Sequence, residues 1–433
     1  MGLKGTRTYV GFGFGAIQAG LFLHEACLTG VFDRMVVAEV APGVVTALRK
    51  AGGWLRVNIA HADQIEQAEI GPIEIEDPAQ APDRQRLIEA IAAAEEIGTA
   101  IPSVDYYVTA GPGSLHRVLT AGLRRKATRR GPRAVVYTAE NHNHAAELLA
   151  AAVLDEIPAG ERDAVRARVR FLNTVIGKMS GVVTDPAEVR ARGLTPITPG
   201  GSRAFLVEAF NRILISQIRF EERGAEPPFR RGLAVFEEKP DLLPFEEAKL
   251  YGHNATHAVA AYVGMILGVP RIAELCDVPG MMAFLRAAFV EESGAALIRR
   301  HAGVDPLFTP EGYAAYADDL LARMTNPYLG DTADRVGRDP ARKLGWDDRL
   351  VGTMRVALSA GITPRRYALG AAAALATIHP ALLERDAPAE ALLTPLWREA
   401  APAASEQQRV VDLVGDGLQL LRSWRAAGRV PAK

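Results

Sequence analysis

Residues 244–257 read Pro-Phe-Glu-Glu-Ala-Lys-Leu-Tyr-Gly-His-Asn-Ala-Thr-His and gather three kinds of reactive side chain in a short span. Lys249, His253 and His257 are spaced i, i+4 and i+8, so a continuous α-helix places them along one face. Asn254 falls on an adjoining part of that face. A lysine among apolar neighbours loses solvation, its pKa drops, and its neutral amine can take a proton. An asparagine amide can polarise a carbonyl or steady an alkoxide. A histidine can fix a hydroxyl. Plainer readings stay open on the residues alone: a solvated lysine, partly buried core histidines, or a metal held by the histidine pair. The metal reading is weakened because Asn254, not a glutamate, follows His253, and a zinc protease would need that base. His142 and His144 are a second pair that could be drafted as ligands.

A second chemical feature lies near the start. Tyr9-Val-Gly-Phe-Gly-Phe-Gly-Ala-Ile-Gln-Ala-Gly20 passes from a strand-like run to a helix-like one. Two glycine registers, Gly11/Gly13/Ala16 and Gly13/Gly15/Gln18, fit a turn that brings backbone against a pyrophosphate at a helix N-terminus. Glu39 ends the next strand, where a carboxylate accepts hydrogen bonds from ribose hydroxyls and repels a 2′-phosphate. NAD is therefore expected over NADP. An unrelated glycine turn is the plain alternative, and Gln18 departs from the usual small third position.

These residues need elements to hold them. Short apolar runs at Thr8–Val10, Met35–Val40, Tyr106–Thr109 and Ala134–Thr138 alternate with helix-like stretches at Ile17–Gly30, Pro42–Ala51 and Asp83–Glu96. Such alternation predicts parallel βαβ units with helices on both faces. Less regular β-like pieces follow at Arg212–Ile218 and Leu233–Phe236, around a loop at Gly224–Phe229. Beyond Pro244 the periodicity is helical: Glu246–Leu267, Met281–Arg300, Pro310–Met324, Asp347–Ala360, Pro364–Ile378 and Glu406–Ala427. The expected fold is α/β, a doubly wound sheet domain over residues 1–240 followed by a mostly α-helical domain over 241–433. The Ala371–Ala374 patch reads as close helix packing.

Composition narrows the function. The chain has 433 residues, 48% hydrophobic and 23% charged, with 50 basic and 51 acidic side chains. Neutral balance argues against a nucleic-acid partner. Two distant cysteines, Cys27 and Cys276, suit a reducing compartment. With no long apolar run or secretory leader, the expectation is a cytoplasmic protein without membrane contact. Monomer and dimer are both compatible with the sequence.

The chain resembles the polyol-specific long-chain dehydrogenases, the mannitol dehydrogenase family. Lys249, Asn254 and His257 match its lysine-x4-asparagine-x2-histidine signature. Residues 12–17 resemble its cofactor turn in the Gly13/Gly15 register, Thr109-Ala-Gly111-Pro its glycine-proline loop, and Ala139-Glu-Asn141 the strand end carrying a second asparagine. Asn326-Pro-Tyr-Leu-Gly-Asp and the stretch from Arg335 to Leu344 resemble its late motif. The resemblance implies a Rossmann-like NAD domain and a helical substrate domain. It implies metal-independent hydride transfer, with no metal ligands at all. Lys249 would be general acid/base, Asn141 and Asn254 would hold the reacting oxygen, and His257 would bind it or a neighbouring hydroxyl. Gly13, Phe14, Gly15, Ala16, Ile17, Glu39, Thr109 and Gly111 would hold NAD.

Substrate choice turns on the late motif. Between Arg335 and Lys343, four cations face one carboxylate, a local excess of three positive charges. A solvated loop is one reading. An anion site built on Arg335, Arg338 and Lys343 is the other, and it favours a polyol phosphate such as mannitol 1-phosphate, or a sugar acid, over a plain polyol. Gly177-Lys178 stands where relatives carry an aspartate-arginine pair, so the hydroxyl pattern read by the site is expected to differ. Arg219–Arg231 looks like an insertion near the mouth. A non-catalytic NAD- or sugar-binding sensor on the same fold is the alternative from another class.

Overall fold

The computed structural model describes residues 7–221, 228–384 and 388–427. Most of the loop expected at 224–229 and part of the stretch 219–231 lie outside them. The chain divides into two compact units, Met1–Leu242 and Leu243–Lys433.

Among the described residues the first unit has twelve strands. They are β1 (Thr8–Phe12), β2 (Arg34–Ala38), β3 (Leu55–Ala60), β4 (Ile65–Ile70), β5 (Glu74–Glu76), β6 (Glu96–Thr99), β7 (Ala134–Thr138), β8 (Val169–Ile176), β9 (Ser180–Val183), β10 (Ala204–Glu208), β11 (Ile213–Ser216) and β12 (Phe236–Lys239). Eight form one sheet in the order β12-β11-β8-β7-β6-β1-β2-β5. The run from β5 to β8 is parallel throughout. Counted along the chain, these six strands follow the 3-2-1-4-5-6 order of a dinucleotide-binding fold. The direction of winding reverses between β1 and β6, and there the strand ends leave a crevice. β1 and β7 are buried at every position, as strands covered on both faces must be. β11 joins antiparallel to β8.

The remaining four strands make a second sheet, β4-β3-β10-β9, which the local sequence pattern does not announce. Two further expectations are corrected. Tyr106–Thr109 is not a strand: Val104–Tyr107 is a 3-10 turn whose Asp105 N–H is capped by the Ser103 hydroxyl. The central strand is instead β6, which begins at Glu96, where a helix was expected to end. The helix closes earlier, as Ala81–Ala93.

Every regular element described in the second unit is helical. The main ones are α2 (residues 243–267), α3 (residues 281–300), α4 (Pro310–Met324), α5 (Ala333–Gly337), α6 (Val351–Ser359), α7 (Arg365–Ile378) and α8 (Ala404–Ala427), with α1 (residues 16–29) belonging to the first unit. The Ala371–Ala374 patch is fully buried in α7. That helix packs closely on α2 and α8, with Gly370 against Val259 and Gly417 against the Ala368 carbonyl. Three helices contain π-helical turns: Gln18–Leu23 in α1, Ala248–Asn254 in α2 and Ala288–Gly294 in α3. Among the described residues no helix is long and apolar enough to cross a membrane.

Candidate active site

In the first unit, the glycine turn sits at the end of β1, beside the switch point. Gly11 lies within the strand, so the turn proper runs from Gly13 to Gly15. Gly13 has φ +83°, and a Cβ there would lie 2.6 Å from the Ala100 carbonyl oxygen, so no other residue fits this turn. A Cβ on Gly15 would meet nothing within 4 Å, which leaves the backbone open to a ligand ahead of α1. Gln18 lies underneath: its amide donates to the Tyr9 hydroxyl at 2.8 Å, and it occupies the space left by the missing side chain of Gly11. The departure at the third position is therefore absorbed below the turn.

Glu39 follows β2 and faces the same turn. Its two oxygens accept from the Phe14 N–H at 3.0 Å and the Ala41 N–H at 2.7 Å. Each carboxylate oxygen keeps a second lone pair for a hydroxyl donor. An open glycine backbone, a helix start and a carboxylate at the end of β2 fit the pyrophosphate and ribose of NAD. Beyond β6, the Thr109 N–H donates to the Ser114 hydroxyl at 3.0 Å, and Gly111 takes φ +89°, shaping an exposed loop before the next helix.

Asn141 is exposed just past β7. Its neighbour Glu140, unremarked in the sequence, is buried and ties three pieces together. It accepts from the Ile101 N–H at 2.9 Å, the Thr99 hydroxyl at 2.8 Å and the Tyr107 hydroxyl. The ends of β6 and β7 and the 3-10 turn are thus locked around one carboxyl. Lys178 is also buried, donating to the Phe210 carbonyl and to Asn211 at 3.0 and 2.6 Å. It anchors the chain between β8 and β11.

In the second unit, the lysine signature falls on the π-helical turn of α2. The turn spans Ala248–Asn254 and so carries Lys249, His253 and Asn254 together. The His253 and His257 rings lie 6.5 Å apart, centre to centre, but the residues differ in exposure. His253 turns into the core and is 5% exposed, whereas Lys249, Asn254 and His257 remain partly exposed. Gly252 makes the turn possible: a Cβ there would lie 2.7 Å from the Tyr313 hydroxyl oxygen.

Charges around this turn shift its titration. Loss of solvation, helped by the Arg349 guanidinium and opposed by Glu246, brings Lys249 down to about 8. Burial also lowers His257 to about 4, against the pull of Asp331 and with further lowering by Arg335, Arg349 and Lys343. His257 is therefore neutral at physiological pH.

The late motif does not act as one solvated basic loop. Lys343 is 3% exposed; its ammonium donates to the Arg338 carbonyl and lies 5.8 Å from the centre of the Tyr262 ring. Burial, with Arg349 next in weight, lowers it to about 8. Arg335 pairs with Asp331. Arg338 and Arg342 are exposed. Arg349 was missed in the sequence, although the Asp347-Asp-Arg run just beyond the motif marks it. Its Nε donates to Asp348 at 2.9 Å, and the Thr353 hydroxyl donates to its carbonyl at 2.5 Å. Among the described residues no cluster of three or more His, Cys, Asp or Glu is placed to hold a metal ion.

A dinucleotide-type sheet unit with an open glycine turn, and a helical unit carrying a depressed-pKa lysine beside an amide and an imidazole, define the class of NAD-dependent dehydrogenases with a helical second domain. Comparison with known proteins narrows this class. Residues 241–414 match the mannitol dehydrogenase C-terminal domain. A mannitol-1-phosphate 5-dehydrogenase of Pseudarthrobacter chlorophenolicus is 30% identical over 380 residues, covering 86% of each protein. Among solved structures, a substrate-free D-sorbitol dehydrogenase superposes with TM-score 0.75 at 15% identity, over 99% of this chain and 96% of that one. Pseudomonas fluorescens mannitol 2-dehydrogenase, solved with NAD and D-mannitol, gives TM-score 0.69 at 17% identity over 98% and 93%. At these identities the two superpositions speak for the fold. The chain belongs to the mannitol dehydrogenase family, and with it to the NAD-dependent polyol oxidoreductases.

Proposed function

We propose that the chain interconverts a polyol phosphate, of the kind that mannitol 1-phosphate represents, and the corresponding ketose phosphate, using NAD and no metal ion. The first unit holds the cofactor through Gly13, Phe14, Gly15, Ala16, Ile17, Glu39, Thr109 and Gly111, and the second binds the substrate. NAD, when bound, supplies the hydride acceptor for alcohol oxidation. In that direction the neutral Lys249 amine takes the carbinol O–H proton as the C–H bond breaks and its electron pair leaves with the hydride. In ketone reduction the ammonium returns that proton. Asn254, in the same π turn as Lys249, and Asn141 donate to the oxygen as its charge changes, while His257 binds that oxygen or a neighbouring hydroxyl. Arg335, Arg338 and Lys343, joined by Arg349, answer the phosphate. Similarity to a mannitol-1-phosphate 5-dehydrogenase supports the phosphorylated substrate.

The observation that carries this reading is a desolvated lysine titrating at about 8, within one π turn of a hydrogen-bonding amide. A base tuned close to the working pH is what proton transfer at a carbinol needs. Its pH dependence has a definite sign. Oxidation requires the neutral amine, so kcat/KM should climb with pH and level off above about 8. Reduction requires the ammonium and should decline above the same pH. Lys249→Ala should lower turnover by roughly 100-fold or more while NADH binding, read by fluorescence titration, is kept. A chelator should leave wild-type rates unchanged. Preserved turnover in the variant, or a loss that added metal restores, would overturn the assignment.

A further inference from the structure

The late motif places Asp331 opposite His257. The backbone around Asp331 is pinned on both sides: its carbonyl accepts from the Ile272 N–H at 2.9 Å, and the next residue but one, Ala333, donates from its N–H to the Pro270 carbonyl at 2.9 Å. Arg271 and Thr332 complete an isolated antiparallel bridge. α5 follows directly and is tied to α2 by the Tyr262 hydroxyl, which donates to the Gly337 carbonyl at 2.7 Å. Asp331 is therefore held by backbone geometry and not by a loop that is free to drift. It is 8% exposed.

Its two oxygens differ. Oδ1 accepts from Arg335. Oδ2 is buried without a hydrogen-bond partner, and so is Nε2 of His257. The two orphaned atoms lie 4.0 Å apart, beyond direct N–H···O bonding. Two buried polar atoms left unsatisfied cost stability unless something bridges them. An oxygen about 2.8 Å from each closes that gap with ordinary hydrogen-bond lengths. With His257 as its Nε2–H tautomer, that oxygen has to donate one proton to the carboxylate and accept one from the imidazole. A hydroxyl does both; a carbonyl or a phosphate oxygen cannot donate.

We infer that Asp331 is a specificity residue: with His257 it grips one secondary hydroxyl of the polyol, next to the carbinol being oxidised. The inference rests on the proposed function and adds to it the hydroxyl that the site reads. The acid occupies the last position of Asn326-Pro-Tyr-Leu-Gly-Asp331. Its free oxygen can accept from a hydroxyl.

The test uses the full chain and monodeoxy analogues of whichever polyol or polyol phosphate the wild type turns over, mannitol 1-phosphate first. One analogue should lose kcat/KM by about 10- to 100-fold, as expected for a missing hydrogen bond to a charged group. Asp331→Asn keeps the shape of the side chain but loses its charge, and with its oxygen still facing Arg335 it presents an NH2 donor where Oδ2 accepted. It should lower kcat/KM for the complete substrate by a similar factor and react with that one analogue about as well as with the complete substrate. NADH binding should not change. Asp331→Ala should repeat the pattern. A wild type that shows no preference among the analogues overturns the inference. So does a variant that loses the same factor on all of them, as a purely structural or water-bridging carboxylate would. In both cases Lys249-dependent turnover would stand. If the wild type turns over no polyol or polyol phosphate, the proposed function falls, and this inference with it.

Discussion

At the scale of single residues, the chain's chemistry rests on side chains whose charge is set by burial. Glu39 shows how much one carboxylate can decide. It bonds two backbone N–H groups of the turn region, at Phe14 and Ala41, and keeps lone pairs for ribose hydroxyls. Its negative charge would repel a 2′-phosphate. Glu39→Ala should weaken NADH binding by about 10-fold or more, the value of a charge-assisted hydrogen bond, while binding of NADPH should hold or improve. Fluorescence titration with both cofactors checks this, and an unchanged ratio between them would count against Glu39 as the selector. Lys249, Asn254, His257 and Glu39 could be singled out in the sequence because each sits in a short local pattern. Asp331, Glu140 and Arg349 could not. Nothing near Glu140 in the chain shows that Thr99 and Tyr107 fold onto it. Asp331 faces His257 across 74 residues of chain, held there by the bridge between Arg271 and Thr332 and the backbone bonds beside it.

At the scale of elements, the π turn in α2 holds Lys249 and Asn254, the proposed acid/base and its partner amide, within one span. It is matched by the π turn of α3. Tyr313 of α4 is wholly buried between them, with Gly252 on one side and Gly294 on the other. A Cβ on Gly294 would lie 2.6 Å from the Tyr313 ring. The two glycines leave room for one aromatic wedge, and the wedge has no space for a regular, tighter packing of side chains. Gly252→Ala should therefore cost about 1–3 kcal/mol of stability by overpacking, seen as a lower unfolding temperature. It should also reduce kcat more than NADH affinity, because it disturbs the turn that aligns Lys249 with Asn254. A variant with normal kcat would mean that the π turn has no part in alignment. The helices of this unit were readable because their apolar periodicity is local, and Pro310–Met324 falls where the periodicity places it. The π turns were not, since the α2 turn packs on Tyr313, 61 residues away in the chain. The second sheet escaped for a similar reason. β4, Ile-Glu-Gln-Ala-Glu-Ile, is largely polar, and its pairing with β3 is a tertiary event. β6 was hidden by Glu96, a buried carboxylate satisfied by the Gly232 and Leu233 N–H groups and the Tyr137 hydroxyl.

At the scale of the whole molecule, charge would decide how the proposed phosphate substrate is captured. The chain carries a formal net charge of −1, so there is no overall field to draw in a phosphate dianion. Attraction has to come from a few cations close to the site. The structure sorts those cations by burial. Arg338 and Arg342 stand in solvent, where salt screens them. Arg335 is partly neutralised by Asp331. Lys343 is buried, and the side chain of Arg349 is 20% exposed, so both keep more of their field at short range. KM for mannitol 1-phosphate should therefore rise with ionic strength as the screening length shrinks from about 10 Å at 0.1 M towards about 3 Å at 1 M. KM for unphosphorylated mannitol should stay nearly flat. Arg349→Gln should raise KM for the phosphate ester by about 10- to 100-fold, the worth of a charge-assisted contact, flatten its salt dependence, and leave mannitol little affected. Steady-state NADH absorbance across both substrates, in both proteins and at several salt concentrations, reads all of this in one series. If salt and the substitution act equally on the two substrates, the cations only solvate the fold and the substrate carries no phosphate. If the phosphate ester alone responds, a chain of nearly zero net charge selects an anion through two cations that its fold has drawn out of solvent.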